Sequence, residues 1–167
     1  MTAEIGDGWP ALWHRGVMAL PTDDPATLPP RLAELAEDFD AVGPSDRVQL
    51  LLELSRELPE LPPQLAGQQN LMEQVHECQS PLFLAVEVDQ DQRVHLYFDA
   101  PPAAPTTRGF ASILHTGLDG ESVSTVLGTP DDFYLHLGLV DAVSPLRLRG
   151  MAALLARIKR NVREKAP

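Results

Sequence analysis

Apolar positions recur at helical spacing, then at strand spacing, then at helical spacing again. Leu32, Leu35, Ala36 and Phe39 share one side of a short helix opened by Pro29 and Pro30 and running to about Phe39. Gly43-Pro44 interrupts that pattern, and Ser45 stands where an N-cap is expected for a second helix with Val48, Leu51, Leu52 and Leu58 on its apolar face. Pro59 stops this helix, and Leu58-Pro59-Glu60-Leu61-Pro62-Pro63 has to be extended or turning.

From residue 71 to residue 98 the period falls to two. Leu71, Glu73 and Val75 alternate with Met72, Gln74 and His76, a pattern that leaves the buried side open. Leu84, Val86 and Val88 fall on one face of a second strand, the polar run Asp89-Gln90-Asp91-Gln92 reverses the chain, and Val94, Leu96 and Phe98 return. The expectation is a three-stranded antiparallel meander with Cys78 in its first turn, between Glu77 and Pro81. Turns held by rigid strands are where reactive side chains are often displayed.

Beyond Ala104 the helical period resumes with Phe110, Ile113, Leu114 and Leu118, closed by Gly117 to Gly120. A short helix is expected over 121–127. Thr129-Pro130-Asp131-Asp132 has the threonine, proline and acids of a helix start. Ser144-Pro145 opens a last helix that buries Leu148, Met151, Leu154, Leu155, Ile158 and Val162. Together these elements predict an α+β protein, a small three-stranded antiparallel sheet flanked by helices. Residues 1–28, with Pro10, Pro21 and Pro25, read as a loosely held arm whose Trp9 and Trp13 are pinned to the body. Residues 29–167 read as a single domain.

Composition narrows the function. The net charge of -11 argues against non-specific nucleic-acid binding, which needs a basic surface. No apolar run approaches the roughly 20 residues that span a bilayer. The acidic N-terminus does not resemble a secretory signal, so a cytoplasmic location is expected. Charge is unevenly spread, with 7 of the 13 basic residues lying in 145–167. This basic tail is either a solvated helix face near a helix C-terminus or a docking edge for an acidic partner.

The single cysteine rules out both an internal disulfide and dithiol redox chemistry within one chain. Polar neighbours Glu77, Gln79 and Ser80 make Cys78 a candidate nucleophile rather than a buried small hydrophobe. His76, two residues away, would share its side if the strand continued; otherwise it is a half-exposed strand residue. Metal binding is not expected, because His14, His95, His115 and His136 are scattered without paired spacing. A cysteine hydrolase would need a histidine and an oxyanion site for which there is no local signature. Neither familiar Gly-rich phosphate loop occurs.

Four ordered stretches resemble the SufE family of sulfur-acceptor proteins. They are Leu58-Pro59-Glu60-Leu61-Pro62; Val75-His76-Glu77-Cys78-Gln79-Ser80; Ala104-Pro105-Thr106-Thr107-Arg108-Gly109-Phe110; and Leu137-Gly138-Leu139 followed by Ser144-Pro145-Leu146-Arg147 and Gly150-Met151. The resemblance implies that Cys78 accepts sulfur as a persulfide from a SufS-like cysteine desulfurase, stimulates that enzyme and delivers the sulfur to an iron–sulfur scaffold complex. It implies no cofactor on this chain, pyridoxal phosphate residing on the desulfurase. Gln79 and Ser80 would shape the cysteine turn, and Arg147 would position the partner or stabilise thiolate charge. Two positions depart from the pattern: Glu77 replaces the usual glycine, and Pro101-Pro102-Ala103 replaces an acidic pair. The other reading is a non-catalytic module that regulates a desulfurase or another acidic partner, with Cys78 incidental.

Overall fold

A computed structural model describes residues 27–167. Almost all of the expected N-terminal arm, including Trp9 and Trp13, lies outside the described residues. Five α-helices and three strands follow in the order α1 (Pro30–Asp40), α2 (Pro44–Arg56), β1 (Glu73–Gln74), β2 (Phe83–Val88), β3 (Val94–Asp99), α3 (Pro105–Leu118), α4 (Val123–Gly128) and α5 (Pro145–Lys165). The class is α+β, as the change of period predicts.

The sheet is antiparallel in the order β1-β2-β3. Leu84 faces Phe98, Val86 faces Leu96 and Val88 faces Val94 across the central pairing, so one face is apolar. α5 packs behind β2 and α3 behind β3, so the sheet's other face, from Phe83 to Asp99, stays half-buried or exposed. The free edge of β3 is covered by the chain leaving α3. Val94 N donates to Glu121 O at 2.9 Å, and Leu96 N to Asp119 Oδ1 at 2.8 Å.

On its other side α3 meets α1 and α2. The approach is close because Gly109 has no side chain: a Cβ there would lie 2.6 Å from Leu51 Cδ1 and 2.7 Å from Leu51 O. Arg108, its neighbour, ties the same corner, donating to Ser55 O at 3.3 Å and to Ala100 O at 2.7 Å. The Arg-Gly pair of the third stretch is therefore a joint between helices.

Several local expectations change. The N-cap of α2 is Gly43, with Pro44 in the first turn, and Ser45 lies inside the helix. Its buried face runs through Leu51, Leu54 and Ser55 rather than Val48 and Leu52, because α3 covers that side. β1 has two residues, not the six suggested by alternation, since the chain turns at His76 to make the cysteine loop. Thr129 does not start an α-helix. Its hydroxyl donates back to Thr125 O at 3.0 Å, and Asp131 pairs with Lys159 Nζ at 2.6 Å. With those groups committed elsewhere, the segment forms two short 3-10 turns, Phe133–Leu137 and Leu139–Asp141, joined by Gly138 at φ 60°. Ser144 caps α5 as expected, accepting from Arg147 N.

Candidate functional site

A backbone hydrogen bond from Val75 N to Leu82 O, 2.8 Å long, closes the loop that carries Cys78. Val75 and Leu82 are both buried in the core, so the loop springs from a fixed base. Cys78 is half-buried and faces a cavity of about 190 Å³. The loop supplies Glu77, Gln79 and Ser80 to the wall; the start of α3 supplies Pro105, Thr106, Thr107 and Phe110; and α5 supplies Arg147 and Gly150. The cysteine thus sits where the first turns of two helices converge.

Gly150 gives the sulfur its place on α5. A Cβ there would come within 3.4 Å of Cys78 Sγ, and the Gly150 carbonyl is 4.0 Å from Sγ. Arg147, exposed at the start of α5, donates from Nη1 to Thr106 Oγ1 at 2.7 Å, bridging the two helix starts at the cavity wall. α3 begins at Ala104 with no side-chain cap. The partial positive charge of its first turn is therefore not offset by a capping oxygen.

Of the residues singled out by sequence, Cys78, Gln79, Ser80 and Arg147 are brought together around one cavity. His76 is not. It lies in the turn, is exposed and does not line the cavity, because β1 has already ended two residues earlier. The regular alternation that would align it with Cys78 is absent.

The Glu77 side chain is partly exposed and is held by Arg157 of α5. Arg157 Nη2 lies 2.8 Å from each Glu77 carboxylate oxygen, and Nε lies 3.1 Å from Oε2. The same guanidinium bonds Glu73 of β1, which also takes Arg160 and a 2.9 Å bond from Asn161 Nδ2. Burial works against the Glu73 carboxylate, but hydrogen bonds from Arg160, Asn161 and Arg157 outweigh it and hold its pKa at about 2. For Cys78 the balance falls the other way. Burial pushes the thiol up to about 11, Glu77 adds to the rise, and Arg157 opposes it.

Thr106, Gly150 and Arg157 were not singled out as site residues by sequence reasoning. Thr106 and Gly150 lay within motif stretches with no chemistry of their own, and Arg157 is 80 residues from Glu77 with no local signal. The basic tail is largely committed inside the protein. Arg157 and Arg160 pair with glutamates, Lys159 reaches Thr129 O and Asp131, and Lys165 reaches Val86 O. Among the described residues no group of three or more His, Cys, Asp or Glu side chains is placed to hold a metal, and no helix is long and apolar enough to cross a membrane.

Comparison with known proteins places this cavity in context. The sequence model of the SufE family, described as an Fe-S metabolism associated domain, matches residues 33–162. An uncharacterized SufE-like protein of Mycobacterium tuberculosis is 56% identical over 140 residues, which is 84% of this chain and 96% of the relative. SufE-like protein 1 of Arabidopsis thaliana, a chloroplastic and mitochondrial protein, is 30% identical over 129 residues, covering 77% of this chain and 33% of that protein. The solution structure of a hypothetical protein from Thermus thermophilus superposes with a TM-score of 0.73 at 40% identity, covering 83% of this chain and 98% of that one.

Proposed function

This chain belongs to the SufE family and is associated with iron–sulfur metabolism, and from that premise we propose that Cys78 carries sulfur as a persulfide between a cysteine desulfurase and iron–sulfur cluster assembly. The observation that carries the reading is a lone cysteine on a core-anchored loop, facing a cavity flanked by two helix starts and an arginine.

In the transfer, the Cys78 sulfur attacks the terminal sulfur of a persulfide on the desulfurase. The partner's S–S bond breaks, its own cysteine leaves as thiolate and takes up the proton given up by Cys78, and a new S–S bond forms on Cys78. One thiol and one persulfide enter and one of each leaves, so no external oxidant or reductant is needed. A single nucleophile is sufficient for such a carrier. The uncapped start of α3, the Thr106 hydroxyl and the Arg147 guanidinium supply donors and positive potential for the added sulfur, which is more acidic than the thiol it replaces.

The partners on this reading are a SufS-like desulfurase holding pyridoxal phosphate and an iron–sulfur scaffold complex. The chain itself needs no cofactor, works as one SufE-like domain over 29–167, and acts in the cytoplasm. Incubation with a matching desulfurase and free cysteine is expected to add about 32 Da, one sulfur, to the Cys78 peptide and to raise desulfurase turnover. Turnover raised equally by the wild type and by Cys78→Ser would reject the proposal and favour a docking module.

A further inference from the structure

Cys78 Sγ is half-buried against Gly150 of α5, so a segment of another protein bearing a persulfide meets the sulfur only partly exposed. For the sulfur to meet such a partner the loop 76–81 has to turn outward from its base at Val75 and Leu82. What opposes that turn is visible on the loop's outer side. The backbone contributes a single long contact there, Cys78 N to Val75 O at 3.4 Å. Gln79 and Pro81 are exposed. The strong tie is Glu77, held through both oxygens by Arg157. Arg157 does not depend on Glu77 for its own position, because Glu73 holds the same guanidinium from β1. Glu73 in turn keeps Arg160 and Asn161 whether or not the loop is closed.

The geometry points to Arg157 as a positioning residue that, through Glu77, latches the Cys78 loop in its inward-facing arrangement. The latch rests on the sulfur-transfer reading, for which an outward-facing thiol is required. It gives a purpose to a carboxylate at a position where its charge disfavours the adjacent thiolate. An ion pair closing a surface loop is weak enough to be opened by a docking protein and strong enough to bias the loop at rest. A partner opens it by offering its own charge to Glu77 or to Arg157.

The test needs no desulfurase, so it can fail while sulfur transfer stands, and sulfur transfer can fail while it stands. Alkylation of Cys78 by iodoacetamide at fixed pH is measured in wild type, Glu77→Gln and Arg157→Gln, with exchange of the Cys78 amide, which the backbone holds on Val75 O, alongside. The latch predicts alkylation about two- to fivefold faster in both variants, and faster exchange of the Cys78 amide. Direct electrostatics on the thiol predicts opposite signs, because Glu77 raises and Arg157 lowers the proton affinity of Cys78. Faster reaction in Glu77→Gln with slower reaction in Arg157→Gln overturns the latch. So does unchanged exchange of the Cys78 amide in Glu77→Gln, a readout that stands even if Arg157→Gln is poorly folded.

Discussion

At Cys78, burial first and the Glu77 carboxylate second push the pKa to about 11, so at neutral pH the resting side chain is a thiol rather than a nucleophile. Because the folded pKa is raised, thiolate is scarce below it and gains about tenfold with each pH unit. Alkylation of wild type is expected to climb steadily from pH 7 to pH 10; a plateau near pH 8 or 9 would mean that the sulfur rests in water. Arg147 offers a second test at this scale. It is exposed, and its side-chain bond is to Thr106 at the cavity wall, so Arg147→Met is expected to lower kcat/KM for sulfur transfer about tenfold while leaving the melting temperature nearly unchanged. An equal loss of stability would make it a structural bridge. Cys78 was legible as a candidate because polar neighbours set it in a turn. Arg157 was not, because an arginine on an amphipathic helix carries no mark of the distant glutamate it will meet.

Helix packing rather than helix propensity explains where the element boundaries and faces departed from expectation. α2 turned its Leu51–Leu54 side inward because Gly109 lets α3 approach along it, and no feature of the α2 sequence announces the glycine that receives it. Gly109→Ala is expected to cost about 1–3 kcal/mol by overpacking, read as a lowered denaturant midpoint, since the added methyl meets Leu51 backbone as well as side chain. A loss under about 0.5 kcal/mol would mean that the two helices can part at little cost. The last helix was legible from end to end: a serine cap, a proline at its first position and an apolar stripe agree with one another. The segment before it was not, because Thr129 and Asp131 have rival partners on α4 and α5 that outcompete the start signal they spell.

Across the whole molecule, the α+β class follows from the sequence because the period changes twice and each change is sustained. The reduction of β1 to two residues accompanies the Val75–Leu82 closure of the cysteine loop, which the alternation of apolar and polar positions does not mark. The Glu73 cluster joins β1 to α5 and makes stability depend on pH. Its folded pKa of about 2 is depressed below the ordinary glutamate value, so the stabilisation it gives is complete above about pH 4.5 and is lost as pH falls toward 2. Acid unfolding of wild type is expected to show this loss, and Glu73→Gln to flatten it in that window; an identical acid profile in the variant would remove Glu73 from the account. The brevity of β1 also leaves β2 beyond Leu84 without a paired strand on that side among the described residues. Val86 is fully buried there, and its carbonyl oxygen accepts from Lys165 Nζ at the end of α5. An ammonium ion on an unpaired strand margin is a charge that the edge of a second copy would have to bury. Lys165→Ala is therefore expected to fold normally yet scatter more light on concentration, as copies pair along β2; scatter equal to wild type would mean that the body of α5 covers the margin without the lysine.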